Sequence, residues 1–240
     1  MFWHSEQRGK DRNYHLKKLD TCKSNGIELI HINDFLWHNK KEIVKDIIAK
    51  RLGIISNKVF ARKCKVQHVT NQVASNFVED NHLQGAVNCK YAIGLYYENE
   101  LISVMTFSKA RFSRSVEYEL CRFCNKIGVT VVGGFSRMLK RFIRDTNCKS
   151  LVSYCDVSLF SGNIYKQHGF TLMHRSSPNY KYFKVNSSPL ELFSRNKFQK
   201  HKLSVTLNEF SEKLTEYENM LANGYDRIWD CGNDVYTLTT

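Results

Sequence analysis

VVGGFSRMLKRFI, residues 131–143, is the stretch on which the fold turns. Phe135, Met138, Leu139, Phe142 and Ile143 recur at spacings of three and four, which predicts a helix with one apolar face. Arg137, Lys140, Arg141 and Arg144 fall on the other side and form a basic stripe suited to a polyanion. Two glycines stand where that helix begins. Backbone N–H groups freed at a helix start can cradle phosphate, and glycine lets the ligand come close. Gly133, Gly134 and Ser136 are therefore candidate cofactor-binding positions.

Strand and helix patterns alternate on both sides of this helix. Upstream, VFARKCKVQHV (59–69) reads as a strand and NQVASNFVEDNHLQG (71–85) as a helix that stops at Gly85. YAIGLYYENELISVMTFSK (91–109) reads as a hairpin turning at Glu98-Asn99-Glu100, and YELCRFCNKI (118–127) as a further strand. Downstream come a strand in SLVSYCDV, a short helix ending in glycine in GNIYKQHGF, and a closing strand pair that reaches Val185.

This order of elements resembles the GNAT acyltransferase plan. VVGGFSR stands in place of that family's usual Q/R-x-x-G-x-G/A, and GNIYKQHGF resembles its N-x-x-x-Y-x-x-x-G-F ending in abbreviated form. The resemblance implies an acyl-CoA donor, or no cofactor at all. It also implies a tyrosine that protonates the departing thiolate, and Tyr165 lies four residues before Gly169, where that tyrosine often falls. The layout is similar as well to phage DNA-modification proteins of the Mom type, which use a GNAT-like fold on adenine in DNA. Glu119, Arg122, Asp156 and Tyr165 are the polar residues to weigh for a transferase. Glu119 and Arg122 could instead be a strand-surface pair, and Asp156 a cap for the Ser161-Gly162-Asn163 turn.

The front of the chain carries a different pattern. Residues 14–24 predict a helix ending at Gly26, Ile27–Ile32 an alternating strand, and Lys41–Leu52 an amphipathic helix capped at Gly53. Trp3-His4-Ser5, Tyr14-His15-Leu16-Lys17-Lys18 and GIELIHI (26–32) resemble the Hef-like (EDxHD) phage homing endonucleases, which are similar in fold to very-short-patch repair endonucleases. That resemblance implies Mg²⁺-dependent cleavage of DNA phosphodiester bonds. His4 and His15 would move protons or contact phosphate, and Lys18 would neutralise the pentavalent intermediate. The acidic hairpin of that group lies upstream of the Trp-His pair, where this chain has only Met1 and Phe2. The expectation is thus an N-terminally truncated endonuclease with its metal ligands unknown, possessing either impaired cleavage or only a DNA-binding remnant.

Composition sets the outer bounds. The 240 residues carry 36 Lys/Arg against 23 Asp/Glu, a formal net charge of +13. Residues 1–70 hold 15 of the cations and 7 of the acids, so the excess is front-loaded. Double-stranded DNA is the expected partner, through Arg8, Lys10, Arg12 and Lys17 and through the 137–144 stripe, because each neutralised phosphate releases counterions. A hydrophobic share of 42% suffices for a core and excludes wholesale disorder. No apolar run approaches a membrane span, and no signal-peptide pattern opens the chain, so the expected location is the cytoplasm of a phage host. Eight scattered cysteines read as free thiols, and Cys121-Arg122-Phe123-Cys124 alone is too little for a zinc site. The fold class expected is mixed α/β. A partial restriction-endonuclease-like segment at 1–56 precedes a GNAT-like mixed-sheet domain at 57–186. A small segment at 187–240, with a helix over 204–222 and an aromatic-rich end, completes the chain.

Overall fold

In the computed structural model, which describes residues 1–54, 57–113, 115–188 and 190–240, two antiparallel strands meet at Glu98 and Asn99. Both turn residues sit in the left-handed region, with φ of 48° and 66°. That backbone twist matches the twist of the flanking strands and closes a tight hairpin. In chain order the elements begin with α1 (Tyr14–Ser24), α2 (Asp34–Asn39), α3 (Lys41–Arg51), β1 (Asn57–Phe60), β2 (Lys65–His68) and α4 (Asn71–Asn81). The hairpin strands β3 (Tyr91–Tyr97) and β4 (Glu100–Lys109) follow, then β5 (Tyr118–Asn125), β6 (Val129–Val132), α5 (Gly134–Thr146), β7 (Ser150–Asp156) and α6 (Asn163–Gln167). The remainder is β8 (Thr171–Arg175), β9 (Tyr180–Lys184), β10 (Leu192–Ser194), α7 (Lys200–Thr206), α8 (Glu216–Ala222), β11 (Tyr225–Trp229) and β12 (Asn233–Thr239).

The class is mixed α/β, with a mixed sheet as expected for a GNAT-like domain. The chain divides into two compact units: 1–39 with 156–161 and 175–233, and 40–155 with 162–174 and 234–240. Each unit draws on more than one of the segments expected at 1–56, 57–186 and 187–240. The first of those boundaries, after Ser56, lies outside the described residues.

The second unit is built on a seven-stranded sheet in the order β2-β3-β4-β5-β7-β12-β8. The first four strands pair antiparallel, and β5 with β7 parallel. Helix α5 covers one face. Phe142 is fully buried and stacks on Phe107 of β4 with ring centroids 3.6 Å apart, while Tyr91 and Tyr118 meet it edge-on. Met138, Leu139 and Phe135 extend the same core, as the helical spacing requires. Helix α4 packs Ala74 and Val78 against Ala92, Val104 and Cys124 in a second cluster. VFARKCKVQHV proves to be two strands rather than one, interrupted by a 3₁₀ turn at Ala61–Lys63, with β1 paired parallel to β6 in a small sheet. Buried Val59, Ala61 and Cys64 show why, since their spacing passes from two to three across Arg62-Lys63.

The first unit holds a three-stranded sheet, β10-β9-β11, over a cluster of Tyr182, Phe198, Leu203 and Met220. Here β9 pairs with β11, not with β8, so the strand pair expected up to Val185 is split between two sheets. The helix expected over 204–222 is two short helices, the second started by a reciprocal Thr215–Glu218 capping box. Ile27–Ile32 forms no strand; His31 N–H donates instead to the Ser158 carbonyl at 2.8 Å. Glu6 fixes the N-terminal turns by accepting from both Arg227 (2.6 and 2.7 Å) and the Trp229 indole (2.6 Å). Among the described residues no helix is long and apolar enough to cross a membrane.

Two stability predictions follow from these contacts. Phe142→Ala removes the ring on which α5 and the sheet meet and should cost about 3–5 kcal/mol in urea unfolding. The second concerns pH. Burial lowers His15 from 6.5 to about 4 and His82 from 6.5 to about 3. The unfolded chain therefore takes up these protons before the folded one does. Their contribution should be full above about pH 6.5 and be lost as pH falls toward about 3, and His15→Gln should flatten that slope in unfolding titrations.

Candidate active site

The second unit contains a place where a parallel ladder ends inside the sheet. β5 and β7 pair at Tyr118↔Leu151, Glu119↔Val152 and Leu120↔Ser153, while β5 runs on to Asn125 and β7 to Asp156. At the last pair the buried Ser153 hydroxyl donates to the Leu120 carbonyl at 3.0 Å. The same hydroxyl is hydrogen-bonded to Tyr165 Oη, also at 3.0 Å. A side chain thus ties the end of the ladder to α6.

Tyr165 is enclosed by rings. Tyr236 stacks on it at 5.0 Å, and Phe170 and Phe135 meet it edge-on at 5.5 and 6.0 Å. Burial raises its hydroxyl to about 12. At neutral pH the group keeps its proton, so it can donate a hydrogen bond or a proton but cannot act as a base.

On the other edge of β5 the register slips. Thr106 pairs with Arg122 and Phe107 with Leu120, which leaves Cys121 as the extra residue of a β-bulge. The bulge sits beside the end of the β5–β7 ladder. The Cys121 thiol lies 3.2 Å from Ser108 Oγ, and burial pushes it up, so it is no nucleophile at neutral pH.

Glu119 is 3% exposed and accepts both arms of Arg111, from Nη2 at 2.6 Å and Nε at 3.2 Å. Arg111 holds its proton more firmly because of that carboxylate. The strand-surface pair of Glu119 with Arg122 does not form. Arg122 donates instead to the carbonyls of Gly85 (3.0 Å) and Cys121 (2.8 Å). His82, beside Arg122 and Lys40, accepts the Gln84 N–H on Nδ1 and stays neutral.

At the start of α5, Gly133 is the N-cap with φ of 78°, and no side chain caps the helix. The first amides are thus open to an anionic ligand. Gly134 has a packing reason too: a Cβ there would lie 3.1 Å from Val131 and 3.3 Å from Leu95. Ser136 is half-buried on the first turn. Arg137 is anchored to the Ala61 carbonyl, and Arg141 and Arg144 reach Asp145, so Lys140 is the freest cation of the predicted stripe.

The first unit holds the other candidates. Asp156 Oδ1 accepts the Ser158 N–H at 2.9 Å, just after β7, rather than a group of the Ser161-Gly162-Asn163 turn that it was expected to cap. His4, His15 and His31 form a row, with ring centroids 5.6 and 5.3 Å apart; burial lowers the pKa of all three, and the nearby Lys18 adds to it. His15 Nδ1 and His31 Nε2 are buried without a hydrogen-bond partner. Among the described residues no group of three His, Cys, Asp or Glu side chains is placed to hold a metal ion. The predicted basic front is largely engaged: Arg8 lies over Phe2 and Trp3, Lys10 over Tyr14, Arg12 over Trp229, and Lys17 pairs with Asp11 at 3.3 Å.

Sequence reasoning missed Ser153, Arg111 and His82. Ser153 left a signal, a polar residue on the inward face of an otherwise apolar strand; Arg111, eight residues from its partner across a loop, left none.

Solved structures with a similar layout include an IAA acetyltransferase from Bacillus cereus ATCC 14579, 11% identical, which covers 74% of this chain and 99% of its own at a TM-score of 0.40. A GNAT family acetyltransferase from Elizabethkingia anophelis with acetyl-CoA bound is 14% identical, with coverage of 74% and 99% and a TM-score of 0.37. An acetyltransferase of Bacillus subtilis in complex with CoA is 11% identical, with coverage of 74% and 99% and a TM-score of 0.40. No curated protein matches the chain. The sequence model of the Mom protein family matches residues 63–223, more than half of the chain, and takes in β5, the start of α5, Ser153 and Tyr165. The chain belongs to the Mom protein family.

Proposed function

We propose that the protein is a transferase that modifies a base in DNA, using an acyl-CoA-type donor. The observation that carries this reading is the family match across the residues that build the β5–β7 opening and the start of α5. The donor supplies an activated acyl carbon and a thiolate leaving group. The open amides at Gly134–Ser136 face its phosphates, and a left-handed glycine before them leaves that approach clear. The acceptor amine attacks the acyl carbon; a C–N bond forms, the C–S bond breaks, and Tyr165 gives its proton to the sulfur. The excess proton of the amine passes to solvent as Tyr165 is reprotonated. Glu119, locked to Arg111, shapes the strand rather than taking that proton.

Phosphodiester cleavage by the Hef-like pattern is a second reading, favoured by the grouping of His4, His15 and His31 near Lys18. Nicking of supercoiled plasmid in Mg²⁺ that His4→Ala abolishes is the result it requires.

Transfer is tested by mass spectrometry of nucleosides from DNA of cells that express the chain. A mass-shifted nucleoside should be present with the wild type and fall at least tenfold with Tyr165→Phe, since a positioned proton donor contributes on the order of 10²–10⁴. Unmodified nucleosides with the wild type would overturn the reading. The donor site has its own test. Ser136→Glu places a carboxylate on the first turn, which favours the helix dipole but repels phosphate. Thermal stability should hold or rise while affinity for CoA, measured by calorimetry, drops at least tenfold. Unchanged CoA affinity would remove α5 from the donor site.

A further inference from the structure

Residues 57–78 contain no aspartate or glutamate, yet Lys58, Arg62, Lys63 and Lys65 all project from this stretch into solvent. Burial separates the two faces: Val59, Ala61 and Cys64 are buried, and the cations between and beside them are exposed. Phe60 breaks the rule. It lies on the cationic side, 38% exposed, with Lys58 Nζ 5.6 Å and the Arg62 guanidinium 5.1 Å from its ring centre. Val132, its partner across the β1–β6 pair, is 39% exposed beside it. The neighbouring carboxylate, Asp145, is already held by Arg141, Arg144 and His68, and so does not compensate this charge. Acids are what a merely solubilising face would intersperse here.

We propose that the β1–β2 segment is a docking surface for a nucleic-acid strand with unpaired bases, its phosphates on Lys58, Arg62, Lys63 and Lys65 and one base stacked on Phe60. Exposed cations alone suit any polyanion. An exposed ring set among them suits a strand whose base faces are free, because every base offers a π-face and a duplex hides it. The inference rests on the proposed reaction in one respect: chemistry on a base requires that base to leave the stack, which exposes a short unpaired strand. Both β1 and β2 are sheet-edge strands, and edge lysines also serve to block strand pairing. That alternative predicts aggregation, not lost affinity, when the charges are removed.

The test is fluorescence anisotropy of the full chain with an oligothymidylate of about 20 nucleotides and with a duplex of equal length, across a salt series. The wild type should bind the single strand more tightly than the duplex, with affinity falling steeply as salt rises. Lys58→Gln/Arg62→Gln/Lys65→Gln should weaken strand binding at least tenfold and flatten the salt slope. Phe60→Ala should weaken it about fivefold or more, and Phe60→Trp should restore it, with thermal melting showing that both variants are folded. Equal binding of strand and duplex, affinity unchanged in the triple variant, or a triple variant whose soluble fraction binds as the wild type does would each overturn the docking surface. Retained base modification with unaltered affinity in these variants would overturn it and leave the reaction standing. Lost affinity in a chain that modifies no base would do the reverse.

Discussion

Everything at the candidate site depends on a ladder of three residue pairs. β5 and β7 run parallel only from Tyr118↔Leu151 to Leu120↔Ser153. A parallel ladder that stops within a sheet leaves carbonyl and amide groups in need of partners, and burial makes an unmet group costly. The chain meets the first of these needs with a side chain, the Ser153 hydroxyl on the Leu120 carbonyl. The β-bulge at Cys121 acts from the opposite edge of β5, bending the strand at the level where the ladder ends. A flat and fully paired sheet would leave no room there for a ligand.

Charge is divided according to the same logic of engaged and unengaged groups. At the front of the chain the arginines and lysines stack on Phe2, Trp3, Tyr14 and Trp229, where the ring quadrupole attracts them. On α5, Arg137 ties the helix to the Ala61 carbonyl, and Arg141 pairs with Asp145 one turn along the same helix. A net charge of +13 therefore overstates the free positive surface at the places where the cations cluster in sequence. The four cations of 58–65 differ because no acid is close to them along the chain.

Local periodicity made α5, α4 and the β3–β4 hairpin legible, because their buried faces follow one helix or strand period throughout. It failed where partners are distant. Ile27–Ile32 alternates as a strand should, yet no neighbouring strand takes it into a sheet. The stretch from Thr171 to Lys184 reads as a hairpin, but its two strands find their partners far along the chain, β9 at β11 and β8 at β12. Tyr165 could be found from its distance to Gly169. Its environment could not, since Tyr236, Phe135 and Ser153 come from three separate elements. Glu119 was weighed as a possible strand-surface partner of Arg122, but its partner proved to be Arg111, beyond the reach of any strand rule.

The environment of Tyr165 also holds its proton in place. Enclosure by Tyr236, Phe170 and Phe135 penalises the phenolate, which is why the hydroxyl rises to about 12. A group held so far above neutral pH is a poor base and remains an available donor. The Ser153 hydroxyl carries one proton, which it can give to either the Leu120 carbonyl or Tyr165 Oη, both 3.0 Å away. A single hydroxyl thus links the end of the β5–β7 ladder to the tyrosine beside it.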